Sequence, residues 1–336
     1  MYYHILLATI ILFLGGCASW RDIPPPSTVS LKARAFLEVA RPVPDGNPSN
    51  TLEWKMRQDL YNVSLEVPGK AVRLRYPNTL VYTNIAGVNA ILVTPRSVSA
   101  VHTNAILIYI HGGAYTYGSA KSTLSCAIPA AHYSGIPVLS VDYRLAPEYP
   151  FPAGLNDCTA VYQEILKHYP PRSIGIFGDS AGGALTVSTI LSARDAGLPM
   201  PAAAVLLSPW ADITRTGDSY VTLEGVDPIL SYPKNLKLSA EVYAGENNMK
   251  HPLISPVYAD FSPGFPPTLI QVGTREIFLS NAARLQRALL DAGVDARLRL
   301  WEGMWHVFQY LPPVPPEAEA AYKDLSSFFS NHLNLD

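Results

Sequence analysis

The chain has 336 residues, of which 48% are hydrophobic and 15% charged, so it is long enough to bury a large core. Its formal net charge of −2 argues against a general nucleic-acid-binding role, because such binding depends on a basic surface that displaces counterions. These values favour a globular protein whose partner is not a nucleic acid.

The N-terminus carries a short apolar run, residues 5–14, followed by Leu14-Gly15-Gly16-Cys17. The run is too short to span a bilayer as a helix and is typical of a signal peptide. The four residues resemble a bacterial lipobox, in which Cys17 is lipidated and becomes the first residue of the mature protein. Ala18 after the cysteine points to the outer membrane. The sequence therefore predicts a signal peptide over residues 1–17 and a lipid-anchored protein on the periplasmic face of the outer membrane of a Gram-negative bacterium.

An uncleaved apolar tail is the alternative for this segment. Residues 1–4 contain no Lys or Arg, which is a departure from the usual signal peptide.

Short apolar runs and segments of helical length then alternate along the chain. Residues 31–40 and 51–61 predict helices of an N-terminal covering element, assigned to residues 18–66, and residues 80–85 and 90–93 predict an antiparallel hairpin. The further predicted strands are residues 105–110, 137–141, 174–177, 203–207, 268–272 and 296–301. The further predicted helices are residues 155–168, 181–196, 281–292 and 317–331. Buried strands that alternate with helices indicate an α/β fold with a mostly parallel sheet.

One long interval, residues 212–267, interrupts this alternation and contains a single helix candidate at residues 233–243. An insertion of this length in a compact fold is usually a lid or a binding element. We expect it to complete a cap over a catalytic domain that spans residues 67–336.

The motif Gly178-Asp179-Ser180-Ala181-Gly182 matches the pattern G-x-S-x-G between a predicted strand and a predicted helix. In this context the serine lies on a sharp turn that lifts its hydroxyl out of the sheet, and glycine on either side gives clearance. The alternative is an unreactive helix N-cap serine. The strand before the motif and the helix after it favour Ser180 as a nucleophile.

The segment His111-Gly112-Gly113-Ala114 follows the predicted strand that ends at residue 110. Adjacent glycines allow backbone N–H groups to approach and stabilise an oxyanion, whereas the alternative is an ordinary glycine-rich turn. Together with the serine motif, the segment predicts an oxyanion hole formed by the amides of Gly112, Gly113 and Ala181.

The general base and the acid follow from chain order, which places an acid and then a histidine after the serine. Only His251, His306 and His332 come after Ser180. His251 lies in the long interval and His332 at the end of the last predicted helix, whereas His306 lies in the loop directly after the last predicted strand, where a general base is expected. Glu276 lies in the loop after the strand at residues 268–272 and is the predicted acid. Three aspartates of the insertion, Asp212, Asp227 and Asp260, are expected to be caps or turn residues.

These motifs resemble those of the bacterial hormone-sensitive-lipase-like esterases of the α/β-hydrolase superfamily. The similarity extends from about residue 65 to the C-terminus. It includes Gly183 after the serine motif and three further stretches: residues 142–148 with 151–153, residues 227–228 with 252–256, and residues 266–267. Ala114, Tyr149 and Glu276 depart from the commoner Gly, His and Asp.

The resemblance implies an α/β-hydrolase fold, with a mostly parallel eight-stranded sheet, helices on both faces and a helical cap. It implies a carboxylesterase that acts on small-molecule esters with short acyl chains and needs no cofactor or metal. Tyr115 and Tyr117, beside the oxyanion segment, are either pocket residues or packed aromatics.

Two other functions stay open. The same residues could deacetylate a sugar or amide or open a lactone, because the fold does not fix the substrate. A non-catalytic ligand-binding protein, similar to the plant gibberellin receptors, is disfavoured because those receptors lack the histidine found here at His306.

The internal cysteines, Cys126 and Cys158, are expected to be free thiols. The strand order implied by the resemblance, with right-handed crossovers, places them on opposite faces of the sheet. A disulfide would require their Cα atoms to lie within about 7 Å.

Overall fold

The computed structural model of the chain describes residues 21, 23–42, 46, 48–98 and 104–333. The predicted signal peptide and Cys17 lie outside the described residues. Within those ranges, no helix has both the length and the apolar character needed to cross a membrane.

A single eight-stranded sheet organises the fold, as predicted. Its strands are β1 (Asn78–Ile85), β2 (Val88–Pro95), β3 (Ile106–Ile110), β4 (Val138–Val141), β5 (Ile174–Asp179), β6 (Ala203–Leu207), β7 (Thr268–Gly273) and β8 (Ala296–Trp301). The spatial order is β1-β2-β4-β3-β5-β6-β7-β8. The pairs β1–β2 and β2–β4 are antiparallel, and the remaining pairs are parallel. The carboxyl ends of β3 and β5–β8 therefore meet at one edge of the sheet.

The helices are α1 (Leu31–Val39), α2 (Thr51–Arg75), α3 (Leu124–Ser134), α4 (Ala153–Ile165), α5 (Ser180–Asp195), α6 (Ser219–Thr222), α7 (Lys237–Ala244), α8 (Leu279–Asp291) and α9 (Glu317–His332). A short π-helical turn, Tyr232–Leu236, precedes α7. Single 3₁₀ turns occur at Pro171–Ser173 and Pro256–Tyr258.

Three helices differ from the sequence prediction, and one of them is the single-turn helix α6 in the insertion, which was not predicted. Helix α2 continues through Pro68 to Arg75, well beyond the predicted end at residue 61. Helix α3 was not predicted, because nearly all of its residues are buried and it contains Pro129, so it lacks the polar face that gives a helix its periodic pattern.

The central strands are buried on both faces, which explains their continuous apolar sequences. Leu107 and Tyr109 point into a core layer under α3 and α9, whereas Ile106 and Ile108 point into the layer under α4, α5 and α8. Cys126 of α3 belongs to the first layer and Cys158 of α4 to the second. Both thiols are free and buried, as predicted.

The covering elements rest on loops at the carboxyl edge of the sheet. From α1, the Phe36 ring lies 4.4 Å from that of Trp305, in the loop after β8. From α2, Gln58 Nε2 donates to the carbonyl of Thr116, in the loop after β3, at 2.9 Å. From α7 in the insertion, the Tyr243 ring stacks on Tyr115 at 3.6 Å. Both predicted cap segments therefore contact the edge at which the candidate site lies.

Candidate active site

Ser180 is the first residue of α5 and follows β5 directly. Its φ of 53° places it in the left-handed region, where a non-glycine residue is strained. Gly182 permits this turn: a Cβ at that position would lie 2.1 Å from the Ile110 carbonyl oxygen and 2.3 Å from that of His111. The serine motif thus forms the predicted strand-turn-helix, with β3 packed directly against it.

Glu276 and His306, separated by 30 residues in sequence, are brought together by the sheet. His306 Nδ1 lies 3.0 Å from Glu276 Oε2, and the two side chains are 4% and 0% exposed, respectively. The ring of Phe278 meets the imidazole edge-on at 5.0 Å. With the Nδ1 proton donated to the carboxylate, the other ring nitrogen is left as an acceptor, as a general base requires.

The second oxygen of Glu276 is also occupied. Oε1 accepts from Ser208 Oγ at 2.8 Å and from the Gly273 N–H at 2.5 Å. The Ser208 hydroxyl in turn accepts from the N–H of Val307 at 3.2 Å. One serine therefore holds both the candidate acid and the residue that follows the candidate base.

Sequence reasoning missed Ser208. The available signal was its position directly after β6, at the edge where the loops after β5 and β7 place Ser180 and Glu276. Its φ of 48°, unusual for serine, is visible only in the structure.

Ser180 is linked to the Glu276–His306 pair through two aromatic residues, Trp210 and Phe278. The N–H of Trp210 donates to the Ser180 carbonyl at 2.9 Å. The Trp210 ring stacks on Phe278 at 5.6 Å, and Phe278 contacts His306. Because β5, β6, β7 and β8 are neighbours in the sheet, the four loops that follow them converge at these contacts.

The oxyanion segment requires a correction to the predicted donors. The Gly112 N–H donates to Asp179 Oδ1 at 2.9 Å, so this amide is not available to an oxyanion. Gly113 and Ala114 adopt φ values of 116° and 53°. Across the described part of the chain, the N–H groups of Gly113 and Ala114 have no hydrogen-bond acceptor. Ala181 is buried in the first turn of α5, where backbone N–H groups lack intrahelical partners.

Asp179, the second residue of the serine motif, ties three segments together. Besides the Gly112 N–H, its carboxylate accepts from the hydroxyls of Tyr109 at 2.6 Å and Tyr310 at 2.8 Å. Burial, reinforced by this carboxylate, raises the pKa of Tyr109 and of Tyr310 well above the usual range, so both phenols stay protonated as donors. The turn at Ser180, the oxyanion segment and the loop that carries His306 are thereby fixed relative to one another.

His111 has a structural position. Its Nδ1 donates to the Gly112 carbonyl at 2.7 Å, and its ring stacks on Tyr143 at 4.3 Å. Burial lowers the pKa of His111, which favours the neutral ring.

The three aspartates of the insertion lie in turns, as expected, and Asp227 makes an additional contact that was not predicted. Asp212 accepts from the N–H of Thr214, and Asp260 from that of Ser262. Asp227 accepts from the N–H groups of Ile229, Leu230 and Ile277 at 2.8–2.9 Å. Because Ile277 follows Glu276, the Asp227 contact joins the cap to the loop of the candidate acid. Burial raises the pKa of Asp227 to about 7.

Tyr115 and Tyr117 are packed aromatics. Tyr115 is 2% exposed and lies against Tyr243, and Tyr117 is 6% exposed and lies against Trp54 and Tyr61 of α2. Their rings join the cap to the oxyanion segment. In the described ranges, no cluster of three or more His, Cys, Asp or Glu side chains could hold a metal ion.

Comparison with known proteins identifies the family. Residues 107–310 match a family model described as alpha/beta hydrolase fold. A solved esterase from the bacterial hormone-sensitive lipase family is 34% identical, covers 86% of this chain and 94% of its own, and superposes with a TM-score of 0.76. The chain belongs to this family.

Three further hydrolases are also similar to the chain. The solved structure of esterase E25 superposes with a TM-score of 0.89 at 30% identity, over 95% of this chain and 99% of that one. An acetyl-hydrolase from Streptomyces hygroscopicus is 39% identical over 66% of this chain and 74% of its own. An esterase from Acinetobacter venetianus is 34% identical over 69% of this chain and 76% of its own.

Proposed function

We propose that this protein hydrolyses carboxylic esters with short acyl chains through an acyl-enzyme on Ser180. The observation that carries the proposal is the buried Glu276–His306 pair, at the same sheet edge as a strained serine elbow. A carboxylate, an imidazole and a serine in this order match the arrangement that activates a hydroxyl nucleophile. The esterases among the relatives support the same reaction.

The first half-reaction forms the acyl-enzyme. His306 removes the proton from Ser180 Oγ while that oxygen attacks the ester carbonyl carbon, and Glu276 stabilises the resulting imidazolium. We assign the oxyanion to the N–H groups of Gly113, Ala114 and Ala181, each donor being worth about 10²–10³ in kcat. When the tetrahedral intermediate collapses, the alcohol leaves with the proton held by His306.

The second half-reaction releases the acid. His306 takes a proton from water, the hydroxide attacks the acyl carbon, and the same N–H groups stabilise the second oxyanion. Collapse returns the proton to Ser180 Oγ and frees the carboxylic acid. Every proton movement uses residues of the chain itself.

The substrate is expected to be small. Covering elements from both the N-terminus and the insertion contact Tyr115 and Thr116, which directly follow the oxyanion segment, and a capped site limits the length of the acyl group. The relative from Streptomyces hygroscopicus is named an acetyl-hydrolase, which supports a short acyl group. That name also favours a second candidate, the removal of an acetyl group from an amide or a sugar by the same residues.

A panel of nitrophenyl esters of increasing acyl length tests this assignment, with an acetylated amide and an acetylated sugar assayed in parallel. We expect the highest kcat/KM for acyl groups of about eight carbons or fewer, and no activity in Ser180→Ala. Strong hydrolysis of emulsified long-chain triglyceride with little hydrolysis of butyrate esters would contradict the proposed specificity.

We also propose that Cys17 is lipidated and anchors the protein in the cell envelope, on the periplasmic face of the outer membrane. The support is the sequence Leu14-Gly15-Gly16-Cys17 after an apolar run. Cys17→Ala should yield a released protein or an unprocessed precursor in membrane fractionation. A mature chain that begins at another residue and carries no lipid, as measured by mass spectrometry, would overturn the assignment.

A further inference from the structure

Exposed apolar side chains are concentrated near the N-terminus of the described chain. Of the sixteen large hydrophobic residues that are exposed in the described ranges, nine lie between residues 23 and 74. Single exposed apolar residues are ordinary on protein surfaces, whereas a contiguous group of them indicates an interaction surface.

Six of the nine lie on α2 and form what we call the outer stripe: Leu52, Met56, Leu60, Val63, Val67 and Leu74, each between 54% and 86% exposed. At 3.6 residues per turn, their positions fall within about 80° of the helix circumference and extend over about 33 Å. The opposite side of α2 presents Trp54, Leu65 and Gly69 to the protein. Helix α2 is therefore apolar on two faces, of which the protein covers only one.

Basic side chains accompany the outer stripe. Helix α2 contains five basic and three acidic residues, although the whole chain has a net charge of −2. After Glu66, all charged residues of α2 are basic: Lys70, Arg73 and Arg75. An apolar stripe beside basic residues suits the boundary between the acyl chains and the headgroups of an anionic bilayer.

The inner face of α2 lies against the candidate site. Gln58 donates to the carbonyl of Thr116, and Trp54 and Tyr61 pack on Tyr117, all within a few residues of the oxyanion segment. Helix α2 therefore carries the outer stripe on its exposed face, and its opposite face lies against the loop that we assign to oxyanion binding.

The proposed lipid anchor indicates which partner covers the stripe. Cys17 precedes Arg21 by four residues, a span of at most about 14 Å. The Arg21 N–H donates to the Gly225 carbonyl of the insertion at 3.1 Å, so the anchor would enter beside the cap. An anchor of this kind holds a protein near a bilayer without orienting it, and stable attachment of a lipidated protein takes a second signal. We propose that the outer stripe of α2 is this second signal and docks the cap on an anionic membrane surface, with the candidate site next to the lipid.

A label at one position of the stripe tests the proposal in the full-length chain. In the Cys17→Ser background the remaining thiols, Cys126 and Cys158, are buried, so Leu60→Cys can be labelled selectively with a polarity-sensitive fluorophore. We expect its emission to shift to the blue on addition of vesicles of phosphatidylethanolamine and phosphatidylglycerol. The matched control is Leu300→Cys on β8, 57% exposed, which should not shift. Because Cys17 is absent, failure of the lipid anchor does not affect the result.

A second arm measures the contribution of the stripe. We add Val63→Glu and Val67→Glu to the labelled chain. The lipid concentration at which the emission shift is half complete should then rise at least about tenfold. Val221→Glu, 71% exposed in the insertion, should leave it unchanged. Hydrolysis of a water-soluble ester should be the same in all of these variants, which verifies their folding.

Three results would overturn the proposal. They are the absence of a shift at position 60, an equal shift at position 300, and a shift that follows protein concentration without lipid. The last result would instead assign the stripe to a second copy of the chain.

Discussion

Replacing Glu276 by Gln tests the proposed acid with little change in shape. The carboxylate uses both oxygens: Oε1 accepts from Gly273 N–H and Ser208 Oγ, and Oε2 faces His306 Nδ1 at 3.0 Å. The Gly273 N–H cannot rotate away, so the amide oxygen of Gln must occupy the Oε1 position. Its NH₂ group then faces His306 Nδ1.

This orientation forces the wrong tautomer on the imidazole. Nδ1 must accept from the amide, so the proton moves to the nitrogen that should receive the proton of Ser180. The corresponding change in a serine protease lowers kcat by about 10⁴. We expect a loss between about 10² and 10⁴, which corresponds to about 3–5 kcal/mol of transition-state stabilisation. Asp at this position keeps the charge at a greater distance from His306 and should cost only about tenfold in kcat.

The assay is the steady-state hydrolysis of nitrophenyl butyrate, with thermal unfolding measured to verify the fold. Asp260→Asn is the matched control, because Asp260 forms only a turn at the surface of the insertion and should retain full activity. Retention of most of the kcat in Glu276→Gln, together with its loss in Asp260→Asn, would refute the reasoning.

Three further predictions concern the supports of the site. Ser208→Ala leaves the Val307 N–H without its acceptor and removes one of the two donors to Glu276 Oε1, so kcat should fall about tenfold at an almost unchanged KM. A larger change in KM than in kcat would contradict this role. In the folded state Asp227 has a pKa of about 7, whereas in the unfolded chain it has its usual pKa of 3.8. As the pH rises from about 4 to about 7, the unfolded state loses this proton first, so the free energy of unfolding falls by up to about 4 kcal/mol. Thermal unfolding of Asp227→Asn should therefore lack this decline, and parallel pH profiles would disprove it. Gly182→Ala should cost more than about 3 kcal/mol in urea unfolding because its Cβ meets the carbonyl oxygens of Ile110 and His111. Gly197→Ala, with no atom within 4 Å, should cost about 1 kcal/mol, and similar costs would contradict the packing argument.

The sequence by itself determined the architecture and the candidate residues. Strands such as β3 and β6 are apolar throughout because both faces are covered, and this pattern is readable from local sequence. The serine motif and the order of the loops then selected Ser180, Glu276 and His306. Of these, the structure places Glu276 and His306 in contact, and their catalytic roles stay predictions.

Only the tertiary structure decided which polar groups pair with one another. Gly112 is a plausible oxyanion donor in sequence, but its N–H is bound by Asp179, which lies 67 residues further along. Ser208 is unremarkable in sequence and touches Glu276, 68 residues away. Partners at this separation are chosen by the sheet order, which brings the ends of β3, β5, β6 and β7 together.

Helices without a single polar face were the other feature that sequence alone did not determine. Helix α3 is buried all round and α2 is apolar on two sides, so neither shows the usual alternation between one apolar and one polar face. The sequence left Tyr115 and Tyr117 as either pocket residues or packed aromatics, and the positions of α7 and α2 against them decide for packing. In each case the deciding contact is made by a segment distant in sequence, because burial is a property of the assembled layers and not of the local pattern.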